Sequence, residues 1–228
     1  MTCPHQTPSA TTLPLNKYRN LHIEGKRLIE QWLQRAIDEE QSHDGSPFEA
    51  FIFLWFSFNG FAACVTGQDR DAEIIRRTAN CSDLRTRFSR LLAEDEDFGR
   101  KAAQFAELWP IFKAQDVRTR GLAYSGVHSR PELIEHYFSG PHVHHQPECF
   151  EHHRERGQQV PLDWPHTLNA VYRVRCNLFH GEKSPTSEMD VRIVAAAFSV
   201  FSTFLVRAAV IEPNRRSHTD ARKSAARR

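Results

Sequence analysis

Hydrophobic positions along most of the chain recur every three or four residues, the spacing of one face of an α-helix. The pattern predicts a first amphipathic helix from about Tyr18 to the polar stretch SHDGSP. Pro47 then suits the first position of a second helix, because a proline lacks the amide hydrogen that this position leaves unpaired. Two further amphipathic helices are predicted over residues 71–92 and 98–109, before Pro110.

Two more helices are predicted near the carboxyl end. Asp163, followed by Trp164 and Pro165, is a typical helix start, and Gly181 ends that helix. A last helix begins near Ser187 and runs apolar to about residue 211. Since no stretch alternates in the manner of a strand, the sequence predicts an all-α bundle of about five main helices.

A long stretch between these helices interrupts the pattern. Residues 116–162 carry Gly, Pro and His around one short helix-like piece, PELIEHYF, and are too long for an ordinary connection in a bundle. We therefore predict a helical domain over 15–211 with a His-rich insert before the last two helices. Composition predicts disorder over residues 1–14 and a basic disordered tail over 212–228.

The predicted second helix, FEAFIFLWFSFNGFAACVTG, is apolar on all sides. Such a helix is either the centre of a core or a membrane span. The polar residues Ser57 and Asn59 within it, and the polar character of the whole chain, favour a core helix and no membrane.

Composition indicates a globular cytoplasmic protein. Of the 228 residues, 40% are hydrophobic and 16 are phenylalanine, which is enough for an aromatic-rich core. The five cysteines are odd in number and widely spaced, and the start MTCPHQTPSATTLP lacks the apolar region of a secretory signal. We expect free thiols in a reducing compartment.

The net charge of +2 is unevenly distributed. From Pro213 onward six basic residues oppose one acidic residue, so this tail carries +5 and the remainder −3. Such a tail can rest on nucleic acid, or it can simply be solvated. The body is not basic enough to identify a nucleic-acid-binding protein by charge alone.

The segment VRCNLFHGEK places Arg175 and His180 five positions apart at a predicted helix end. At about 100° per residue, the two side chains lie about 140° apart around the axis. They reach one site only if it wraps around the helix end, or if a second chain supplies the other half. The alternative is a surface arginine and a histidine that caps the helix through its dipole.

Here the chain resembles the HEPN superfamily, whose mark is an arginine separated by four to six residues from a histidine. The resemblance also rests on YRVRCNLFHGEKSP followed by one long apolar helix, and on LWFSFNGFAA with Trp55 and the pair Phe58-Asn59. It covers roughly residues 15–112 and 163–211. One departure is that Cys176 stands directly after the arginine, where family members often carry Asn, Asp or His, and Asn177 follows one place later.

The resemblance implies a dimer that brings two copies of the motif to one cleft and, in many members, RNA cleavage without metal. We therefore expect a metal-independent endoribonuclease that needs no cofactor, in a toxin or defence setting. Its partners would be RNA, a second copy of the chain and an antitoxin or regulatory protein. Other members only bind, so the alternative is a non-catalytic module that recognises a protein or a nucleotide.

The residue types suit this chemistry. His180 can take or give a proton near neutral pH, and Arg175 can neutralise phosphoryl charge. Asn59 is a candidate to orient His180 or hold a phosphate, or it only bonds a neighbouring helix. Asn177 is a second candidate helper, and Lys183 either touches the RNA backbone or is solvated.

Two further interpretations concern metal and thiol chemistry. The insert carries side chains that can bind zinc, but no finger-type spacing, so no metal ligand is assigned. Cys176 beside Arg175 could be a nucleophile, because a cation lowers the pKa of a thiol, or it could simply pack. The metal-capable residues are His142, His144, His145, Cys149, His152 and His153.

Overall fold

The protein was examined as a computed structural model that describes residues 11–119, 129, 131–132, 134–135 and 144–213. The predicted all-α class is confirmed. The helices of the described part are α1 Asn16–Arg19, α2 Ile23–Gln41, α3 Pro47–Thr66, α4 Asp71–Ala79, α5 Ser82–Glu94, α6 Glu96–Ala106, α7 Ala114–Thr119, α8 Phe150–Glu155, α9 Trp164–Phe179 and α10 Glu188–Arg207. They are more numerous than the five main helices predicted.

Helix α3 is the centre of the bundle, and α2 lies closely against it. The buried hydroxyl of Ser57 donates a hydrogen bond of 2.8 Å to the carbonyl of Ile29. A Cβ at Gly60 would lie 3.0 Å from the Ile29 side chain, so glycine allows this close approach. The apolar second helix is therefore a packed core helix, and half of its most apolar window is buried inside the protein.

A cluster of aromatic side chains joins α5, α6, α9 and α10. Trp164 is 1% exposed, and its ring centroid lies 4.6 Å from Phe204 and 6.2 Å from Phe201. Phe88 lies between Phe98 and Phe204 in edge contacts. The first turn of α9 is thereby fixed to the last helix.

The predicted single helix over 71–92 is wrong, because two helices cover it. The chain leaves helical geometry at Asn80 and Cys81, where the Asn80 amide donates to the carbonyl of Arg76 and Cys81 forms a β-bridge with Thr11. The apolar spacing continues across the break, since Cys81 is buried together with Ile74 and Leu84.

Residues 11–14, which composition assigns to a disordered end, pack on the bundle. The amide of Thr11 donates to the carbonyl of Asn80, and Leu13 is 4% exposed. Residues 1–10 and 214–228, which hold the rest of that end and nearly all of the basic tail, lie outside the described residues. So does half of the predicted short helix over 131–138, whose described residues, 131–132 and 134–135, are helical.

The insert is attached to the bundle by a small antiparallel ribbon that the sequence did not predict. Strand β1, Ile111–Phe112, pairs with β2, His145–Gln146. The carboxylate of Asp116 accepts from the His144 ring at 2.6 Å and from the His144 amide at 3.2 Å. The ribbon holds the chain just before the insert against residues 145–146 within it, beside α9.

Two helices, α3 and α10, are long and apolar enough to cross a membrane by length and composition. Half of the most apolar window of each is buried inside the protein. Both helices contribute to the aromatic core, through Phe58 of α3 and Phe201 of α10, whose ring centroids lie 4.8 Å apart.

Candidate functional site

Arg175 lies in the last turn but one of α9, and its guanidinium is held on three sides. It forms an ion pair of 2.8 Å with Asp71, the first residue of α4. It also lies over two aromatic rings, with 4.6 Å to the centroid of Phe179 and 5.5 Å to that of Trp55. Such contacts favour a cation and fix its orientation.

The guanidinium retains hydrogen-bonding capacity despite these contacts. Its Nε is buried and has no hydrogen-bond partner within the described part of the chain, and the side chain is 20% exposed. A buried donor without a partner costs free energy unless a ligand or water satisfies it. Arg175 therefore keeps one donor unused beside its ion pair with Asp71.

His180 is the residue that ends α9. Its amide donates to the carbonyl of Cys176, and Gly181 follows with a positive φ of 69°, which favours glycine. The His180 side chain is exposed and has no hydrogen-bond partner among the residues described. The helix end therefore presents the imidazole to solvent, which fits both a capping residue and an accessible proton-transfer group.

The structure brings Arg175 and His180 to the same helix end, but it does not join them directly. Phe179 lies between them in the chain, 43% exposed, and its ring contacts the Arg175 guanidinium. Within one chain, Arg175 pairs with Asp71 while the His180 side chain is exposed to solvent.

An exposed row of aromatic rings continues from this helix end. Phe179 meets Phe56 at 6.3 Å, Phe56 meets Trp32 at 5.2 Å, and Trp32 stacks on Phe53 at 5.5 Å. We call Trp32, Phe53, Phe56 and Phe179 the aromatic strip. Phe56 and Phe179 are each exposed by about two fifths, and the exposed Leu28 lies one helical turn before Trp32.

Asn59 lies one helical turn after Trp55 on α3. Its side-chain oxygen is buried and has no hydrogen-bond partner in the described part of the chain, and the same holds for Nε1 of Trp55. This oxygen therefore makes no hydrogen bond to a neighbouring helix within the described residues. Because this unsatisfied oxygen lies on the face of α3 that carries Trp55, Asn59 fits the predicted role of a residue that supports the site.

The other two candidate helpers have structural partners. The Asn177 amide is 4% exposed; it donates to the carbonyl of Phe112 at 2.7 Å and accepts from the amide of Ala114 at 3.2 Å. Asn177 thus attaches the segment just before the insert to α9. Lys183, predicted to be solvated or to touch RNA, pairs with Asp190 at 2.5 Å, and its side chain is only 8% exposed.

Cys176 and Tyr172 form a local pair on α9. Burial, with smaller contributions from the neighbouring Cys176 and Asp71, raises the pKa of the Tyr172 hydroxyl to about 12. The ring stacks on Trp55 at 5.9 Å. Tyr172 therefore stays protonated at neutral pH and acts as a wall beside Arg175.

The zinc-capable histidines do not converge in the described residues, where no three His, Cys, Asp or Glu side chains are arranged to hold a metal ion. His144 binds Asp116, and His152 and His153 contact each other edge to face. His142 lies outside the described residues. The described cysteines, Cys64, Cys81, Cys149 and Cys176, are free thiols.

Asp71, Phe56 and Phe179 are site residues that sequence reasoning missed. Asp71 lies 104 positions before its partner Arg175, so spacing gives no signal for the pair. Phe56 and Phe179 each follow apolar neighbours and read as ordinary core positions.

No family model matches the chain, and neither a curated protein nor a solved structure matches it.

Proposed function

We propose that the protein is a metal-independent endoribonuclease of the HEPN type that acts as a dimer. The observation that carries the proposal is the helix end itself: Arg175 has an unsatisfied buried donor, His180 faces solvent, and an exposed aromatic strip lies beside them. The motif resemblance supplies the reaction, and the toxin or defence setting rests on that resemblance.

In the proposed reaction, the ribose 2′-oxygen attacks the adjacent phosphorus and the 5′-oxygen leaves. A base must take the 2′-hydroxyl proton and an acid must protonate the leaving oxygen. His180 can serve in either protonation state near neutral pH. Arg175 would bind the non-bridging oxygens, on which charge grows, through its planar fork. The products are a 2′,3′-cyclic phosphate and a free 5′-hydroxyl.

One chain offers one solvent-facing histidine at this site, whereas the reaction uses an acid and a base. A second copy docked on the aromatic strip would bring its own helix end close and supply the second imidazole. The strip suits this role, because exposed aromatic rings are enriched in protein interfaces. Phe56→Asp should then abolish dimerisation and cleavage together.

The test is incubation of the full-length protein with mixed cellular RNA in excess chelator. We expect wild type to cleave, with cyclic phosphate ends on the products, and Arg175→Ala and His180→Ala to lose at least about a hundredfold in rate. Arg27→Ala and His43→Ala are matched controls, because both side chains are exposed and lie outside the site. Intact RNA with every variant, from a folded protein, would refute the enzyme.

One observation favours the alternative function, a non-catalytic module that binds a protein or nucleotide. Arg175 already has a carboxylate partner in Asp71, which a phosphate must displace or share. A module that docks a partner on the aromatic strip needs no such exchange. It would bind its partner equally well in the His180→Ala variant and lose binding in the Phe56→Asp variant.

A further inference from the structure

A second group of reactive side chains lies at the opposite end of α9. The Sγ of Cys149, just before α8, lies 3.2 Å from Nε2 of His166. The other ring nitrogen of His166, Nδ1, lies 2.6 Å from Oδ1 of Asp163. Thiol, imidazole and carboxylate thus follow one another in hydrogen-bonding contact.

The structure fixes the orientation of this imidazole. Asp163 is the N-cap of α9, and its Oδ1 accepts from the backbone amide of His166 at 3.0 Å as well as from the ring. One carboxylate oxygen therefore holds both the helix start and the ring. With Nδ1 donating to Asp163, the lone pair of Nε2 points at the thiol, which is the arrangement of a general base with its nucleophile.

The three residues line one cavity of about 680 Å³. Its walls include apolar side chains, among them Ile75 and Pro147, three arginines, and the carboxylates of Glu148 and Asp163. Arg76 pairs with Glu73, whereas Arg85 and Arg173 have no carboxylate partner among the described residues, and Nε of Arg173 is buried without a hydrogen-bond partner there. A cavity of this size suits a small molecule, and the guanidinium groups of Arg85 and Arg173 can donate to a carboxylate on it.

We propose that Cys149, His166 and Asp163 form a nucleophilic triad that hydrolyses a small ester or thioester carrying a carboxylate. His166 takes the thiol proton as Sγ attacks the acyl carbon, and then gives it to the leaving alcohol or thiol as the carbon–leaving-group bond breaks. Water, activated by the same ring, then cleaves the resulting thioester and releases the acid. Arg173 and Arg85 bind the carboxylate of the substrate.

The reacting groups of this site are separate from those of the proposed ribonuclease, although Tyr172 borders both. Arg173, which faces the cavity, and Arg175, which faces Asp71, are two positions apart on α9 and therefore about 200° apart around its axis. Cys149→Ser should leave RNA cleavage unchanged, and His180→Ala should leave thiol reactivity unchanged. A result that refutes one of the two proposed activities therefore leaves the other unaffected.

The first test measures alkylation of each cysteine of the full-length protein by limiting iodoacetamide, followed by mass spectrometry. Cys176 is the internal control, because it is more exposed than Cys149. We expect Cys149 to react at least about ten times faster than Cys176, since only Cys149 has a base in contact. His166→Ala and His166→Gln should each remove that advantage while the rate at Cys176 stays constant, which also shows that the fold persists.

The second test uses a matched pair of substrates, the 4-nitrophenyl monoester of glutaric acid and the 4-nitrophenyl ester of pentanoic acid. We expect repeated turnover of the anionic ester, at least about tenfold preferred in kcat/KM over the neutral one, and loss of that preference in Arg173→Met. Trapped enzyme should carry the glutaryl group on Cys149.

The outcomes that overturn the proposal are distinct. A Cys149 that reacts no faster than Cys176, or that ignores both His166 substitutions, excludes the triad. A reactive Cys149 that releases no more nitrophenol than Cys149→Ser does excludes acyl transfer. A thioester that forms once and persists excludes hydrolysis.

Discussion

At its first turn α9 is enclosed by protein, and at its last turn it meets solvent. Trp164 is 1% exposed, and its Nε1 donates a hydrogen bond of 2.9 Å to the carbonyl of Thr78. Phe179, fifteen residues further on, leaves 43% of its surface exposed and contacts Arg175 and Phe56. The same helix therefore anchors the aromatic core at one end and exposes an aromatic ring beside Arg175 at the other.

The charged groups differ in the same way. Asp163 at the start accepts from two donors of its own helix, the amide and the ring of His166, and so positions both. Arg175 at the end has one carboxylate partner and keeps an unsatisfied Nε. A group with capacity to spare can bind an anion, whereas a satisfied group positions its neighbours.

The largest expected difference between the two ends of α9 is in their contribution to the free energy of unfolding. Trp164→Ala removes a ring buried among Phe88, Phe201 and Phe204 and should lower the free energy of unfolding by about 3–5 kcal/mol. Phe179→Ala should change it by less than about 1 kcal/mol, because the side chain is half exposed. Urea unfolding followed by circular dichroism measures both. Equal losses would mean that both ends belong to the core.

An intermediate effect is expected at high pH. Burial raises the pKa of Tyr172 from 10.0 to about 12 in the folded protein. Between these values the unfolded chain loses the proton and the folded chain keeps it, so ionisation favours unfolding. The contribution of Tyr172 is fully present below pH 10 and is lost as the pH rises towards 12.

Tyr172→Phe should therefore flatten part of the fall in stability over that range, as measured by urea unfolding at a series of pH values. Burial also raises the pKa of Tyr18, which hydrogen-bonds Glu30, so a fall remains in both proteins. Parallel curves for the variant and wild type would show that Tyr172 titrates equally in both states, as at a solvated site.

The smallest expected change in stability follows Asp71→Asn. A partly exposed ion pair contributes at most about 1 kcal/mol, so the variant should unfold almost as wild type does. Its affinity for RNA should instead rise, because Arg175 loses a competing carboxylate, and the dependence on salt should steepen by about one phosphate contact.

Glu73→Gln is the matched control for that measurement. Glu73 lies on the same helix as Asp71, but it pairs with Arg76 and Arg77 instead of Arg175. Filter binding of a labelled RNA at several salt concentrations compares the variants. If Asp71→Asn binds RNA no better than Glu73→Gln does, Arg175 is not the anion-binding group.

Sequence signals that involve only a few neighbouring residues correctly predicted where three of the helices begin. Pro47 begins α3; Asp163 caps α9 by accepting from the His166 amide; and Ser187 caps α10 by accepting from the Asp190 amide. Each of these signals acts within three or four residues, so one sequence is sufficient to read it.

Signals that depend on distant partners were missed. The break at Asn80 and Cys81 coincides with a bridge to Thr11, about seventy positions earlier, while the local apolar spacing continues through it. Asp163 was recognised as a helix cap from the sequence. Its second role, which is to orient the ring of His166 towards Cys149, is visible only in the fold, because Cys149 lies seventeen positions before His166. Arg175 was identified from a sequence motif, whereas no sequence signal identified its partner Asp71.

The ribbon of β1 and β2 has a consequence for evolution and for engineering. Because Phe112 lies opposite His145, the polypeptide leaves the bundle and returns to it at one place. Doubling the number of residues between two fixed points costs only about 0.6 kcal/mol in closure entropy. We therefore expect natural variation or a designer to change the length of the chain between Phe112 and His145 at little cost to the bundle, provided that the ribbon keeps its pairing.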